Sequence, residues 1–552
     1  MLRRAADLLA DCLLAQGADR LFCVPGESYL ALLDALHDVS AIDLVICRHE
    51  GGAGMMAVAD AKVTGRPGVV AVSRGPGATN AAIALHLAQQ DAVPLVMLVG
   101  QVARDERGRG AFQEMDYAAV FGTVAKMVDE VSDAARLPEV VARAWYLAQA
   151  GTPGPVVISL PEDMLGDMVR AEPVAPQAAP RSGPSAAEAA NVAKMLAVAE
   201  RPLVIAGGGL APPEGRAALA ELSARSGLPV ATGFKRQEIF DNASPRYAGN
   251  LGFKIPKAHV DMLARADLVI AIGTRLGDAT TQGYGFPRAP VPAQRLVHVW
   301  PDPDLLGRVF RTDLALPCDP AMFCAALAQA GQPGNQDEWV GQVNRSALEL
   351  RHPPVRELED GLDFGAVVAE LARQAPGDAI VAMDSGNFGS WIHAFWPWDG
   401  SQISVGAAGG AMGLGVPGAV AASLRHPDRL VLGIIGDGGA LMTGAELATG
   451  VARGAKPKIV ISDNGTYATI RLHQEREFPG RVAGTNLANP DFAAWARAFG
   501  ALGLRLDRDG DVAATVARFL AHDGAAVLHV RSSAEAISAF TTITALRYAG
   551  RS

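Results

Sequence analysis

The amino-acid sequence predicts an α/β protein with three doubly wound domains, each built on a mostly parallel sheet. The chain has 552 residues, which is too long for one hydrophobic core at about 100–200 residues per domain. Short apolar runs alternate with helix-like segments along its length, as in parallel sheets with crossover helices. Two stretches without apolar periodicity interrupt this alternation and divide the chain into three blocks.

The first block, residues 1–170, contains five apolar runs that we predict to be strands. They are RLFCV, DLVIC, GVVAVS, PLVMLVG and GPVVISL. The chain begins MLRRAADLLADCLLAQGADRLF, and the two aspartates within the apolar part argue against a signal peptide. We predict an amphipathic helix there instead, with Leu9, Leu13 and Leu14 on its apolar face.

Two weakly patterned stretches separate the later blocks. The segment AEPVAPQAAPRSGPSAAE, residues 171–188, is typical of a linker, and a second weak stretch runs from 332 to about 361. The central block, residues 186–332, has predicted strands in RPLVIAGGG, LPVATG, ADLVIAIG and RLVHVW. The third block, residues 362–552, has them in AIVAMD, ISVG, LVLGIIGDGG, KIVISDNG and AAVLHV.

The composition argues against nucleic-acid and membrane partners. The net charge is −9 and the basic residues are scattered, whereas phosphate binding needs clustered Lys and Arg. The uncharged stretch GAAGGAMGLGVPGAVAASL, residues 406–424, contains six glycines and Pro417, so we predict a close-packed turn and a buried helix. Five cysteines without a CxxC pair indicate reduced, mostly buried thiols and a cytoplasmic protein.

Asp437 lies at the end of an apolar run in the third block. The stretch GIIGDGGALMTGAEL covers Gly433–Leu447, and the apolar run at 430–435 is predicted to be a buried strand. A charge in such a place is costly unless it is compensated. We predict that a helix begins near Ala440 and that the neighbouring glycines let a phosphate approach its positive end.

A second polar strand end follows Asp437. KIVISDNGTY ends in Asp463 and Asn464, and Asn464 lies 27 residues after Asp437. Such strand ends meet at one edge of a parallel sheet. A carboxylate, an amide oxygen and backbone carbonyls suit Mg²⁺, whose open positions phosphate and water usually fill. The alternative is a strand–Asp–Gly turn that only caps a helix.

The spacing from GDG to DNG resembles the signature of thiamine diphosphate-dependent enzymes. The resemblance implies that Asp437, Asn464 and the backbone carbonyl of Thr466 bind Mg²⁺, which holds the cofactor's diphosphate. Many members have two asparagines where this chain has Asp463–Asn464, but the second position is the ligand. The other residues that we assign to cofactor binding are Gly26, Asn387, Met412, Gly436, Gly438 and Gly439.

Met412 lies in a segment with two competing interpretations. GGAMGLGVP resembles the segment in which a large apolar side chain bends the cofactor, although Met412 could also be simple core filler. Within it, GLGVPG at 413–418 satisfies the dinucleotide pattern G-x-G-x-x-G. That pattern alone is weak, and its proline and missing strand-to-helix context disfavour a nicotinamide dehydrogenase.

Glu50 is the candidate activating acid of the first block. It follows a predicted strand in LVICRHEGGAGMMA, and an acid at a helix start is often merely favourable with the dipole. The stretch resembles the pyrimidine-binding domain of the same enzymes, in which this Glu drives tautomerisation of the cofactor so that its C2 proton is lost. In that family Glu50 and the Mg²⁺ site of one cofactor come from different chains, which implies a homodimer or homotetramer.

The segment GRGAFQEMD, residues 108–116, resembles a loop of the acetohydroxyacid (acetolactate) synthases. The resemblance implies that Phe112 and Gln113 face the substrate. The pyruvate decarboxylase branch has two adjacent histidines in this region, and this chain has no His-His pair. In SRGPGATN, Arg74 stands where a smaller residue is more usual, which leaves the polarity of the pocket open.

Two further regions are compared with the same family. The central block has the layout of that family's central domain, in the stretches VIAGGG, AIGTRLGD and VHVWPDPD. This domain binds FAD in some members and another nucleotide or nothing in others. Gly207–Gly209 could admit a phosphate or form a tight turn. The segment at 469–492, TIRLHQEREFPGRVAGTNLANPDF, is predicted to be either a mobile lid or an ordinary solvated loop. As a lid it would bring Arg471, His473 and Gln474 near the substrate.

Taken with the resemblance, the sequence predicts a thiamine diphosphate- and Mg²⁺-dependent enzyme resembling acetolactate synthase. It would decarboxylate a 2-oxo acid and pass the remaining fragment to a carbonyl acceptor whose identity depends on the pocket around Phe112, Trp391 and the lid. A benzaldehyde lyase-like or 2-hydroxyacyl-CoA lyase-like enzyme is the near alternative. A dinucleotide-dependent dehydrogenase and a non-catalytic cofactor-binding protein are the remote ones.

Overall fold

The computed structural model describes residues 2–253, 255–330 and 336–549. Within these residues, three six-stranded sheets are present and all their strand pairs are parallel. The predicted fold class, three doubly wound α/β domains, is confirmed. The domain boundaries remain predictions, and three of them, residues 1, 332 and 552, lie outside the described residues.

The first sheet has the strand order β3-β2-β4-β5-β7-β6, and a short antiparallel pair joins β1 to β8. Its strands are β1 (Arg3–Arg4), β2 (Arg20–Cys23), β3 (Asp43–Ile46), β4 (Gly68–Val72), β5 (Leu95–Gln101), β6 (Met127–Glu130), β7 (Pro155–Pro161) and β8 (Met168–Val169). Its helices are α1 (Ala5–Ala15), α2 (Leu30–His37), α3 (Glu50–Thr64), α4 (Gly75–Asp91), α5 (Tyr117–Phe121) and α6 (Leu137–Gln149). Leu9 and Leu13 are buried in α1 as predicted, but Leu14 is 39% exposed.

The central sheet has the order β11-β10-β9-β12-β13-β14, which is the order described for dinucleotide-binding folds. Its strands are β9 (Pro202–Ala206), β10 (Val230–Thr232), β11 (Tyr247–Asn250), β12 (Leu268–Ile272), β13 (Arg295–Val299) and β14 (Leu314–Leu316). Its helices are α7 (Ala186–Val198), α8 (Pro213–Ser226), α9 (Lys257–Leu263), α10 (Pro320–Ala330) and α11 (Asp337–Leu348).

Helix α11 corrects the prediction of a weak connection between 332 and 361. Its apolar side chains turn towards the sheet, where Trp339 and Val343 are buried in one cluster with Ala248 and Leu251. Because polar and charged residues dominate the rest of the segment, its periodicity is weak in the sequence.

The third sheet has the order β16-β15-β17-β18-β20-β19. Its strands are β15 (Ile380–Met383), β16 (Ile403–Gly406), β17 (Val431–Gly436), β18 (Lys458–Asp463), β19 (Leu502–Leu506) and β20 (Ala526–Arg531). Its helices are α12 (Phe364–Gln374), α13 (Gly389–Phe395), α14 (Gly415–Arg425), α15 (Asp437–Thr443), α16 (Glu446–Ala452), α17 (Ala468–Glu477), α18 (Phe492–Ala498), α19 (Val512–Ala521) and α20 (Ile543–Ala549).

One prediction about this sheet's helices is wrong, and the predicted lid is partly helical. The helix after β17 begins at Asp437 rather than near Ala440, and it ends at Thr443 before a separate helix α16. The predicted mobile lid begins as helix α17, in which Leu472 and Glu475 are buried. Leu472 packs with Ile537 and Ile543, so the start of the lid is held by the C-terminal helix.

The first and third domains share a hydrophobic core across α3 and α14. Ala53 and Met56 from α3 belong to the same cluster as Val416 and Ala419 from α14. The uncharged stretch at 406–424 therefore contains a buried helix, as predicted. Among the described residues, no helix combines the length and the hydropathy that a membrane span needs. All five cysteines are buried, as predicted.

Candidate active site

The carboxyl ends of β17 and β18 bring the predicted metal ligands together. The strands are parallel neighbours, with Gly436 opposite Ser462. Asp437 and Asn464 therefore follow adjacent strands at one edge of the sheet, where α/β folds bind ligands.

Asp437 is a buried carboxylate whose hydrogen-bond donors are neutral groups. Its side chain accepts hydrogen bonds from Gly438 N (3.0 Å), Gly465 N (2.9 Å) and Asn489 Nδ2 (2.8 Å). Burial and the nearby charge of Asp463 raise the pKa of Asp437. Because these partners are neutral, a bound cation would compensate the negative charge of the buried carboxylate.

Asn464 and Thr466 complete the predicted oxygen set. Thr466 N donates to Asn464 Oδ1 (3.2 Å), and Thr466 itself is buried. Gly465 between them has φ +68°, which L side chains rarely adopt. No group of three His, Cys, Asp or Glu side chains that could hold a metal occurs in the described parts of the chain. A set of one carboxylate, one amide oxygen and a carbonyl fits Mg²⁺ that also binds phosphate and water.

Asp463 has its own charged partners. It accepts from His529 Nε2 (2.7 Å), from Asn489 Nδ2 (2.8 Å) and from the guanidinium of Arg531. Although burial opposes ionisation, these donors hold the pKa of Asp463 well below its usual range. Asn489 donates to Asp437 and Asp463 at once; it was not found from the sequence, because it lies 52 residues after Asp437.

The glycines beside Asp437 are required by close packing. A Cβ on Gly438 would lie 2.5 Å from the ring of Tyr467 and 3.3 Å from Met412 Cε. A Cβ on Gly439 would collide with the carboxylate of Asp384. Met412 therefore lies beside the GDGG turn, and Gly436 is the last residue of β17.

Asp384 and Asn387 shape the same edge from the end of β15. The Asp384 carboxylate accepts from Gly413 N (2.8 and 2.9 Å), next to Met412, and burial raises its pKa. Asn387 Nδ2 donates to Ala468 O (2.9 Å), and its Oδ1 accepts from Thr469 Oγ1 (2.9 Å). Asn387 thus fixes the start of α17, while direct contact with a cofactor stays a prediction. Asp384 was missed by the sequence analysis.

Glu50 is the first residue of α3, at the carboxyl edge of the first sheet. Its Oε2 accepts from Asn80 Nδ2 (2.9 Å), and a Cβ on Gly77 would lie 3.4 Å from Oε1. Gly26 packs against Ser73 so closely that a Cβ would lie 2.6 Å from the Ser73 Cβ. Glu50 is only half-buried, and the residues next to its carboxylate, Asn80 and Gly77, are neutral.

The predicted substrate loop is ordered by Glu114. Its carboxylate accepts from Gly108 N (2.6 Å), Gly110 N (3.0 Å), Ala111 N (3.1 Å) and Arg107 Nη1 (2.7 Å). The backbone bond from Gly108 and the other donors lower the pKa of Glu114. The loop leaves Phe112 77% exposed.

The same loop is tied to the segment that carries Arg74. Gln113 has φ +65°, and its carbonyl accepts from Gly75 N (3.2 Å). Arg74 is buried, with Nη1 3.5 Å from Glu162. Gln113 therefore lies next to the turn between β4 and α4. Gly77 and Asn80, which lie beside the Glu50 carboxylate, follow shortly after that turn.

The predicted lid residues already have partners. Arg471 Nε donates to Glu475 Oε1 (2.8 Å), and Gln474 Nε2 donates to Ala483 O (2.7 Å). His473 Nδ1 lies 2.7 Å from Arg476 Nη2. Glu475 also binds Arg547 of α20 (2.7 Å). Their contact with substrate stays a prediction.

A cavity of about 1870 Å³ lies between the central domain and the other two. A Cβ on Gly207 would lie 2.5 Å from Gly273 O, and one on Gly209 2.9 Å from Gly273 Cα. The chain after β9 therefore packs so closely against the chain after β12 that Gly207 and Gly209 leave no room for a side chain. Gly208 lies under Arg236, whose Nε would be 2.9 Å from a Cβ there.

Comparison with known proteins agrees with this arrangement. Models of the thiamine pyrophosphate enzymes match three segments: the N-terminal TPP binding domain at residues 3–120, the central domain at 189–327 and the C-terminal TPP binding domain at 384–530. An acetolactate synthase large subunit of Mycobacterium tuberculosis is 32% identical over 514 residues, covering 90% of this chain and 82% of that protein.

Two further relatives carry similar names. The acetolactate synthase isozyme 2 large subunit of Escherichia coli is 31% identical over 540 residues, covering 95% of each chain. The mitochondrial acetolactate synthase catalytic subunit of Saccharomyces cerevisiae is 30% identical over 539 residues, covering 93% of this chain and 78% of that protein. The chain therefore belongs to the thiamine pyrophosphate enzymes and is a thiamine diphosphate-dependent enzyme that forms or breaks C–C bonds.

Proposed function

We propose that this enzyme is a Mg²⁺-dependent carboligase that decarboxylates a 2-oxo acid and joins the remaining fragment to an acceptor carbonyl. The observation that carries this proposal is the loop at 108–116. In this loop the carbonyl of Gln113, which follows the exposed Phe112, accepts a hydrogen bond from Gly75 N. The Gly75 turn lies on the sheet edge that also carries Glu50. The acetolactate synthase names of the relatives support the same reaction class.

The third domain supplies the proposed metal site. Asp437, Asn464 and the Thr466 carbonyl would hold Mg²⁺, and Met412, beside the GDGG turn, would pack against the cofactor. When bound, thiamine diphosphate supplies a carbon nucleophile that attacks the substrate carbonyl and accepts the electrons left by CO₂. Glu50 would hold a proton at the cofactor's pyrimidine nitrogen.

We further propose a homodimer as the smallest active unit. Among the described residues, the only side chain that bonds the Glu50 carboxylate is Asn80, whereas the Asp437 cluster lies on another domain. Large apolar side chains are exposed beside each cluster: Phe112 at 77%, and Leu441 and Met442 of α15 at 51% and 47%. A second copy would cover such surfaces.

FAD is the proposed ligand of the central cavity. The strand order of the central sheet and the Arg236 and Arg275 side chains in the cavity wall support a dinucleotide there. The absorption spectrum of the purified protein tests this: a flavin band supports FAD, and a colourless protein that takes up no added FAD contradicts it.

Product analysis by mass spectrometry tests the reaction. The protein is incubated with Mg²⁺, thiamine diphosphate and a panel of 2-oxo acids, acyloins and hydroxyacyl thioesters. We expect CO₂ release from a 2-oxo acid together with a hydroxy-ketone product. Cleavage of an acyloin or thioester without any use of 2-oxo acids would instead indicate a lyase, and binding of a nicotinamide cofactor in place of thiamine diphosphate a dehydrogenase.

A further inference from the structure

A buried carboxylate of the third domain contacts the first domain directly before Glu50. Glu446 is the first residue of α16 and is 0% exposed. Its Oε1 accepts hydrogen bonds from Arg48 N (3.0 Å) and His49 N (3.0 Å). Its Oε2 accepts from Thr449 Oγ1 (2.7 Å), which fixes the orientation of the carboxylate.

The amides that Glu446 binds determine how the chain enters α3. Within the described residues, Arg48 N and His49 N have Glu446 as their hydrogen-bond acceptor, and Glu50 follows them as the first helical residue. The first turn of α3 makes room for this contact. A Cβ on Gly52 would lie 2.7 Å from Glu446 Cγ and would collide with Oε1.

We infer that Glu446 is a positioning residue for Glu50: it fixes the backbone at Arg48 and His49 and so sets the direction in which the Glu50 carboxyl group points. Two hydrogen bonds to a buried carboxylate are strong enough to select one backbone arrangement. An activating acid must lie within hydrogen-bond distance of the group it serves, and a small displacement of such a group costs much of its effect. The inference rests on the role proposed for Glu50.

The other end of α3 offers a matched control. Arg425 of α14 binds Asp60 (2.8 Å between Nη2 and Oδ2) and Asp19 (3.0 Å between Nη1 and Oδ2). This is also a contact from the third domain to the first, but it lies at the last turns of the helix. Arg425→Gln therefore weakens the contact between the domains without touching the residues before Glu50.

The test measures exchange of the cofactor's C2 proton with deuterium in the Mg²⁺-loaded protein, by NMR of quenched samples. We expect Glu446→Ala to slow the exchange about tenfold or more. Glu446→Gln should stay within about threefold of wild type, because its oxygen can accept from both amides while its amide group donates to Thr449. Arg425→Gln should exchange at the wild-type rate even where its melting temperature falls.

Amide hydrogen exchange of the cofactor-free protein gives a readout that does not depend on chemistry. Glu446→Ala should accelerate exchange in the peptide 46–52, whereas Arg425→Gln should not. If Glu446→Ala does not fold, Gly52→Ala displaces the same carboxylate and should slow C2 exchange likewise. Equal behaviour of the Glu446→Ala and Arg425→Gln proteins in both measurements would overturn the inference.

Glu50→Gln separates this inference from the proposed function. If Glu50→Gln blocks C2 exchange and Glu446→Ala does not, only the positioning role fails. If Glu50→Gln exchanges like wild type, the role of Glu50 itself is wrong. Neither result requires that the true substrate be known.

Discussion

The first and third domains have the same strand order but different chemistry at their strand ends. In each sheet the strands run second-first-third-fourth-sixth-fifth in chain order. After the third strand the first domain has Ser73–Arg74, whereas the third domain has Asp437 between glycines. The first domain carries its acid, Glu50, after the second strand instead. The shared topology creates the edge, and the loops decide what binds there.

The environments of the two acids differ as their proposed roles require. Glu50 is half-buried and bonds the neutral Asn80, so it is placed to exchange a proton. Asp437 is 4% exposed and has three neutral donors around it, so it is placed to hold a cation. Changes on the first domain should therefore affect turnover, and changes on the third should affect cofactor binding.

The largest expected effect is that of Glu50→Gln on turnover. The variant keeps the size and the hydrogen bonding of the side chain but loses its proton, so kcat should fall by about 10²–10⁴-fold. Calorimetry should give Mg²⁺-dependent thiamine diphosphate binding close to wild type. A Glu50→Gln enzyme with full activity would contradict the comparison.

Asp437→Ala should act on binding rather than on chemistry. Removal of a direct ligand should weaken Mg²⁺-dependent thiamine diphosphate binding by more than about 100-fold, since loss of an outer partner alone costs about 10- to 100-fold. The measurement is the rise in melting temperature on adding Mg²⁺ and cofactor, which wild type should show and the variant should not. An undiminished rise would show that Asp437 is not a metal ligand.

Asn489→Ala tests the shared donor of the two aspartates. Without the Nδ2 bonds to Asp437 and Asp463, Asp437 keeps only its two backbone donors and is less firmly oriented, so Mg²⁺ affinity should fall by about 10- to 100-fold. Asn344→Ala is the control, because its amide binds the carbonyls of Ser244 and Tyr247 in the central domain. Equal Mg²⁺ affinities of the two variants would contradict the assignment.

The smallest effect belongs to the substrate loop of the first domain. Glu114→Ala removes the acceptor of four donors, so Phe112 and Gln113 lose their fixed positions. The KM for the 2-oxo acid should rise about tenfold while cofactor affinity is unchanged. Glu139→Ala, which removes only surface pairs with Arg136 and Arg143, should leave both unchanged.

The inner strands of the sheets could be predicted from the sequence, and the edge strands mostly could not. Apart from the short pair β1 and β8, the strands that were missed are β6, β11, β14 and β19, and all four lie at the edges of the six-stranded sheets. Their sequences MVDE, YAGN, LAL and LGLRL are short or interrupted by polar residues. Because an edge strand has a neighbour on one side only, it needs less apolar surface and gives a weaker pattern.

The candidate site shows a similar division. The positions of Asp437, Asn464 and Glu50 after strand ends could be predicted because each closely follows an apolar run, whereas their proposed roles came from the family resemblance. Asn489 and Glu446 could not, because their partners lie 52 and 398 residues away in the sequence. Their roles depend on how elements that are distant in the sequence pack together, which no local sequence pattern predicts.

The central claim, that Glu50 of one chain and Asp437 of another serve the same cofactor, is tested most directly by mixing two inactive variants. Glu50→Gln and Asp437→Ala chains are co-expressed with different tags, and the mixed dimer is compared with each parent. A mixed dimer contains one site with both changes and one with neither, so the purified mixed dimer should have about half of wild-type activity and the unfractionated random mixture about a quarter. If each site were built within one chain, every site would carry a change, and the mixture would remain as inactive as its parents.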